Sequence, residues 1–91
     1  MNSVLQSSKE CWYCHTTYNL QEHHCFRNPF RRKSEKYGLK VWLCAEHHTG
    51  DNGVHGYNKQ LDLQLKRLAQ SKFEETHTRE EWLKEFMRSY L

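Results

Sequence analysis

The pattern of hydrophobic and polar residues predicts two strands followed by two longer helices. The stretch Tyr18–Phe26 can form a strand whose successive side chains point to opposite faces. The β-prone run Lys40–Cys44 is short enough to be the second strand of a hairpin. Apolar residues recur at helical intervals after Asn58, which can cap a helix that runs to about Phe73.

Turn and capping signals divide the rest of the chain. Asn28-Pro29 ends the first strand and a basic loop follows, while 45–48 begins a helical turn. Thr78 and Glu81 have the spacing of a capping box, which predicts a last helix from Arg79 to about Tyr90. We therefore expect one α+β domain over 1–91, with a flexible tail (1–9), a core (10–75) and a C-terminal helix (78–91).

The composition leaves room for only a small hydrophobic core. Hydrophobic residues make up 36% of the 91 residues, and a chain of this length buries about 60–65% of its unfolded surface. Domains this small usually need a disulfide or a metal ion for stability. Ligands for a metal are abundant, because the chain contains four cysteines and seven histidines.

The start of the chain suggests a reducing compartment. Its first nine residues contain no apolar signal-peptide core, and no stretch approaches the roughly 18 apolar residues of a membrane span. In the cytoplasm, paired cysteines bind metal more often than they form disulfides. Two disulfides are the alternative, formed among Cys11, Cys14, Cys25 and Cys44. They would leave the neighbouring His47 and His48 without a role.

Two ligand pairs have the spacing of a structural zinc site. Two residues separate the members of each pair, so one turn can present both ligands to one ion. These ligands are Cys11, Cys14, Cys44 and His47. Cys25 has no paired partner, and we expect it to be a small buried residue. His15 and His77 lie beside the first pair and in a linker, respectively.

Four histidines remain after this assignment, and they suggest a second, working metal. They are His23, His24, His48 and His55. Alternatively, they are ordinary surface or core histidines. Because His23 and His24 are consecutive on a predicted strand, their side chains should point in opposite directions.

This combination resembles the HNH endonuclease family, whose fold is the ββα-metal (His-Me) finger. The matching part runs from residue 11 to about residue 60 and comprises the C-x2-C pair, Leu-Gln-Glu-His-His at 20–24, Leu-Cys-Ala-Glu-His-His at 43–48 and Gly-Val-His-Gly at 53–56. The resemblance implies a zinc-stapled β-hairpin plus helix, here with an additional C-terminal helix. It also implies metal-dependent hydrolysis of DNA phosphodiester bonds.

The resemblance assigns a role to each remaining histidine. His23 resembles the first ligand of the catalytic metal, and His48 and His55 resemble the second and third. His24 resembles the general base that takes a proton from the attacking water. The catalytic ion would be Mg²⁺, Mn²⁺, Ni²⁺ or Zn²⁺, beside the structural zinc.

Two positions depart from the family's pattern. Its central asparagine, which orients the loop, falls near Leu39, and the only asparagine left in the loop is the displaced Asn28. His48 and His55 are also farther apart than the family's usual spacing, which makes Asn52 a rival third ligand. We prefer His55, because its two neighbours match the family's local pattern.

The basic residues are concentrated in one segment, although the formal charge is only +3. Between Arg27 and Lys40 there are six basic residues and one acidic residue. Such a block is either a solvated loop or the footprint of a polyanion, and the resemblance implies DNA. The expected phosphate contacts are Arg27, Arg31, Arg32, Lys33 and Lys36.

Two other functions fit parts of the sequence. A non-catalytic, zinc-stapled DNA-binding module would need only the zinc ligands and the basic block. A zinc-finger adaptor for protein interaction would use the C-terminal helices instead. The family resemblance places the protein in the cytoplasm of a bacterium or a phage-infected host. No added recognition domain is visible, so we expect a homodimer or a partner protein to supply specificity, and no membrane association.

Overall fold

A two-stranded antiparallel sheet lies at the centre of the computed structural model, which describes all 91 residues. Strand β1 (Leu20–His24) pairs with β2 (Lys40–Cys44) in a register that places His24 opposite Lys40. The first strand is shorter than the predicted Tyr18–Phe26. It begins after Asn19, whose left-handed backbone (φ 53°) interrupts the extended conformation.

Four helices complete this small α+β fold: α1 (Arg31–Tyr37), α2 (Ala45–His48), α3 (Lys59–Phe73) and α4 (Arg79–Phe86). The predicted caps are confirmed, because the Asn58 side chain accepts from the Leu61 N–H and the Thr78 capping box is complete. Helix α4 ends before the predicted Tyr90, since Met87 adopts a left-handed backbone (φ 72°). None of the four helices has the length and apolarity needed to span a membrane.

Helix α1 occupies the segment that was expected to be a basic loop, so that prediction was wrong. Its residues, Arg-Arg-Lys-Ser-Glu-Lys-Tyr, are mostly good helix formers, but they contain no apolar repeat that would have signalled a helix. Gly38 ends the helix in a left-handed conformation (φ 68°). The buried Ser34 hydroxyl accepts a hydrogen bond from the Phe26 N–H at 3.1 Å, which ties α1 to the end of β1.

The first residues of the chain lie along the outer edge of β2. The Val4 N–H donates to the Gly38 carbonyl at 3.0 Å, and the Gln6 side-chain oxygen accepts from the Trp42 N–H at 2.8 Å. Farther along the chain, the backbone N–H of Trp12 donates to the Trp42 backbone carbonyl at 2.8 Å. The segment therefore covers a strand edge that would otherwise present unpaired backbone groups.

An aromatic cluster joins helix α4 to the rest of the hydrophobic core. The buried Trp82 ring stacks on Phe86 with ring centroids 4.2 Å apart, and it meets Phe26 and Phe73 edge-on at 5.4 Å each. The indole N–H of Trp82 donates to the Arg88 carbonyl at 2.8 Å, so its one polar group is satisfied. Trp82 is therefore the residue through which α4 is anchored to α3 and to the end of β1.

Replacing Trp82 by alanine is expected to lower the free energy of unfolding by about 3–5 kcal/mol, the usual cost of truncating a buried large aromatic side chain. Urea denaturation followed by far-UV circular dichroism measures the change. Leu83→Ala is the matched control, because Leu83 lies on the same helix but is 41% exposed, and its effect should stay within about 0.5–1 kcal/mol. Equal destabilisation by both variants would contradict the packing described here.

Candidate metal centres and catalytic pocket

Four side chains that can bind zinc meet where the turn that carries Cys11 and Cys14 approaches the end of β2. They are Cys11, Cys14, Cys44 and His47, and their ligand atoms all lie within 4.8 Å of one another. The sulfurs of Cys14 and Cys44 are 3.8 Å apart, and Cys44 Sγ lies 3.2 Å from His47 Nδ1. Thiolates about 2.3 Å from one tetrahedral ion have a separation of this size. The set could therefore hold a metal ion such as zinc.

The backbone positions the ligands of this cluster and stabilises the charge on one of them. Cys44 is the N-cap of α2, so His47 falls on the first turn beside it. Burial opposes ionisation of Cys11, but N–H groups directed at its sulfur, first that of Cys14, outweigh burial and lower the pKa of Cys11 to about 6. Burial raises the pKa of Cys44. A metal ion would therefore find the Cys11 thiolate largely formed and would displace the proton from Cys44.

The remaining cysteine and two further histidines lie outside this cluster. None of the four cysteines forms a disulfide. Cys25 is fully buried, and burial raises the pKa of its thiol. It is therefore an inert packing residue, as the sequence predicted. His15 pairs with Glu10 on the surface, and the His77 ring stacks on Phe73 with centroids 4.1 Å apart.

Three further histidines converge on the other side of α2. The ring centroids of His23 and His48 are 5.2 Å apart, and His55 lies 5.5 Å and 4.7 Å from them, respectively. Their ligand nitrogens all lie within 4.8 Å of one another. His23 Nε2 is buried and has no hydrogen-bond partner, and a polar atom of that kind is costly unless something binds it. A metal ion among the three rings would satisfy it.

Local hydrogen bonds place two of these rings. The backbone N–H of His55 donates to the His48 carbonyl at 3.0 Å, which brings the two side chains together. Gly53 allows this return of the chain, because a Cβ atom there would lie 2.6 Å from the same carbonyl. His48 Nδ1 contacts the side-chain oxygen of Gln21. Since that oxygen can only accept, Nδ1 carries the proton and Nε2 keeps its lone pair for a metal.

The electrostatics keep the three imidazoles in the neutral form that metals bind. Burial, reinforced by His48 and His55, lowers the pKa of His23 to about 3. Burial also lowers the pKa of His48 and of His55. At neutral pH all three rings therefore offer lone pairs to a metal without first losing a proton.

His55, and not its rival Asn52, stands beside His23 and His48. The side-chain nitrogen of Asn52 donates to Glu46 at 2.7 Å on the exposed side of the loop. Asn52 is thereby held away from the histidine cluster, whereas His55 takes part in it.

His24 points to the other face of β1 and lies in an ionic group. Its Nε2 is 3.2 Å from a Glu35 carboxylate oxygen and 3.9 Å from one of Glu22. The buried Lys40 ammonium contacts both carboxylates, with a distance of 3.1 Å to Glu22. Sequence reasoning missed this group. The strand register, which places Lys40 opposite His24, was the only available signal.

A single pocket of about 270 Å³ connects the histidine cluster with His24. Its lining includes His23, His24, His48, His55, Arg27 and Arg31. Although His23 and His24 leave the strand in opposite directions, both reach this pocket at the end of β1. The pocket is almost entirely polar, with Phe26 as its one hydrophobic residue.

The five basic residues expected to bind phosphate are distributed unevenly around the molecule. Arg27 and Arg31 line the pocket, and Arg32 is exposed on the next position of α1. Lys33 is engaged elsewhere, because its ammonium donates to the Glu85 carbonyl at 2.7 Å and pairs with the Glu85 carboxylate at 3.5 Å. Lys36 lies over the Tyr37 ring, outside this pocket. Only the arginines are therefore placed to act together.

Comparisons with known proteins identify no relative: no family model, curated protein or solved structure matches the chain. The support for a function is therefore the chemistry of the two clusters and of the pocket that joins His24 to one of them. The Cys3His group has the composition of a closed structural site. The three-histidine group has the composition of an open site, in which further coordination positions are left for a substrate.

Proposed function

We propose that the protein is a metal-dependent DNA endonuclease of the HNH type. The observation that carries this proposal is the single pocket in which a three-imidazole cluster, a fourth histidine and two arginines meet. Hydrolysis of a phosphodiester is assisted by an electrophile, a base and groups that bind phosphate. The pocket offers three imidazoles that could hold a metal electrophile, a histidine that could be the base and two arginines for phosphate. The hairpin of β1 and β2 with α2 would then be a ββα-metal finger, stapled by zinc at the Cys3His group.

The three-histidine cluster would hold the working metal. His23, His48 and His55 present neutral ring nitrogens from β1, α2 and the following loop. Their composition suits Zn²⁺, Ni²⁺ or Mn²⁺, and Mg²⁺ is the remaining candidate. A divalent ion bound there supplies Lewis-acid stabilisation of the negative charge that develops on the scissile phosphate.

The other pocket residues supply the general base and the phosphate contacts. His24, which lines the same pocket, accepts a proton from the attacking water through a ring nitrogen. The guanidinium groups of Arg27 and Arg31 bind phosphate oxygens on either side of the cleavage position. Arg27 also donates to the Val54 carbonyl at 3.2 Å, which fixes its position beside His55. Phosphate binding of this kind is salt-dependent and independent of base sequence.

Cleavage of supercoiled plasmid by the zinc-loaded protein tests the proposal. We expect nicking in the presence of Mg²⁺, Mn²⁺, Ni²⁺ or added Zn²⁺ and none in EDTA. His55→Ala should lower the rate at least about 100-fold, because Lewis-acid stabilisation contributes several kcal/mol. His15→Ala is the matched control, since His15 is exposed and lies outside both clusters, and it should cleave like the wild type.

The opposite result would favour a different function. If the wild-type protein binds DNA and one zinc ion but cleaves with none of these metals, the nuclease proposal is wrong. The chain would then be a zinc-stapled DNA-binding module that uses Arg27, Arg31 and Arg32 without catalysis. A readout of metal stoichiometry by mass spectrometry separates the cases, because only the nuclease needs an ion at the histidine cluster.

A further inference from the structure

The carboxylates beside His24 have no part in the mechanism described so far. Glu35 reaches His24 from α1, outside the hairpin, and its Oε1 lies 3.2 Å from His24 Nε2. Glu22, on the same strand, lies farther from this nitrogen, at 3.9 Å. Only the Glu35 contact is within hydrogen-bond distance. Glu35 is thus the one side chain bonded to the proposed base.

A third metal ion does not explain this group, although Glu22, His24 and Glu35 have the composition of a ligand set. The Lys40 ammonium contacts both carboxylates and is only 4% exposed. Burial opposes the charge on Lys40, but its hydrogen bonds to Glu35 and Glu22 outweigh burial and raise its pKa. The Lys40 ammonium therefore supplies the positive charge between these two carboxylates that a metal ion would otherwise supply.

The Glu35 contact fixes which nitrogen of His24 carries the proton. Hydrogen bonds from Lys40, and then from His24, lower the pKa of Glu35, so the carboxylate is ionised at neutral pH and can only accept. Nε2 must therefore be the N–H donor, and in the neutral ring the lone pair then lies on Nδ1. The His24 side chain is only 8% exposed, which leaves water little access as a competing partner.

The fold holds Glu35 at this position through its neighbours on α1. The Ser34 hydroxyl, directly before Glu35, is buried and hydrogen-bonded to both backbone groups of Phe26. The Gly38 N–H closes the helix on the Ser34 and Glu35 carbonyls. The backbone of α1 is thus fixed on both sides of Glu35, while its carboxylate reaches back to β1.

We propose that Glu35 is a positioning residue that sets the tautomer and orientation of His24 for proton abstraction. This inference rests on the nuclease proposed above. When water transfers its proton to Nδ1, the imidazole becomes an imidazolium, and Glu35 stabilises the new charge without taking the Nε2 proton. The support for the base thus comes from a side chain of α1, outside the hairpin that presents His24.

The test compares Glu35→Ala and Glu35→Gln with the wild type, all as zinc-loaded full-length protein. Partners that orient a functional histidine typically contribute about 10- to 100-fold in activity. We expect kcat for a duplex oligonucleotide to fall by about that factor in Glu35→Ala, with KM unchanged. Glu35→Gln should retain an intermediate kcat, because its amide oxygen can still accept from Nε2. Glu80→Gln, an exposed carboxylate on α4, is the control and should leave both constants unchanged.

Nitrogen NMR of the His24 ring provides a readout that does not depend on cleavage. At fixed neutral pH and without the working metal, the wild type should show a protonated Nε2 and an unprotonated Nδ1. Glu35→Ala should show a mixture of tautomers at an unchanged zinc content. If the wild type cleaves DNA but Glu35→Ala keeps the wild-type kcat, the role of Glu35 is wrong and the nuclease proposal stands. The same holds if Glu35→Ala keeps the wild-type tautomer of His24. Absence of cleavage by the wild type would overturn both proposals.

Discussion

Cys14→Ser is expected to unfold the protein at neutral pH, although Cys14 is exposed and buries little surface. Its contribution would come from the metal, because its sulfur is one of four ligand atoms in the Cys3His group. Structural zinc sites contribute about 10–16 kcal/mol to folding in small zinc-binding peptides. Small domains have only about 5–15 kcal/mol of net stability. Weakening the site by one ligand should therefore remove most of the stability.

Cys25→Ala is the comparison that makes this experiment decisive. Cys25 is fully buried, so an argument from packing alone predicts that its loss costs more than the loss of exposed Cys14. If zinc stabilises the fold, the order reverses: Cys25→Ala stays folded with one zinc ion, and Cys14→Ser does not. Circular dichroism and zinc analysis measure both, and chelation of the wild type should reproduce the Cys14→Ser spectrum. A folded, metal-free Cys14→Ser protein would rule out a stabilising zinc.

If the protein is the proposed nuclease, His24→Ala should strongly slow DNA cleavage while both proposed metal sites keep their ions. General-base catalysis contributes about 10²–10⁴-fold, and we expect the loss to fall in this range. His24 does not belong to either proposed metal site, so its removal should not release an ion. Rates of plasmid nicking, together with metal stoichiometry, measure the two effects separately.

The neighbouring residue gives the matched comparison for His24. His23→Ala removes a ligand instead of the base, so it should lose the second metal together with activity. Its zinc at the Cys3His group should be retained. Cleavage by His24→Ala at the wild-type rate would remove His24 from the mechanism, whereas loss of the second metal in His24→Ala would show that the two side chains do not act separately.

Elements with strong local signals were predicted well from the sequence. The β2 bounds, the Asn58 cap and the Thr78–Glu81 capping box agree with the structure, because each depends on residues close together in the chain. The spacing of the Cys and His pairs also predicted which four side chains would meet. A short motif presents its ligands from one turn, so little knowledge of the remaining fold is needed.

Features that depend on tertiary contacts were not predicted. Helix α1 has no apolar repeat, and its only fully buried side chain is the hydroxyl of Ser34, so the hydrophobic pattern contained no signal for it. The partnership of Glu35 with His24 follows from the position of that helix and was missed for the same reason. Likewise, nothing in the sequence indicated that Lys33, which was expected to bind DNA, pairs with Glu85 of α4. Charge along a sequence does not reveal which charges the fold neutralises.

Helix α2 has a thermodynamic consequence for metal loading. It contains only four residues, and two consecutive ones serve different clusters: His47 belongs to the Cys3His group and His48 to the three-histidine group. If both groups hold ions, each binding event restrains the same helical turn, so the second ion meets a ligand that the first has already ordered. Such coupling is reciprocal, and each ion raises the affinity for the other by the same factor. Zinc would then act as an effector of the neighbouring centre as well as a staple of the fold.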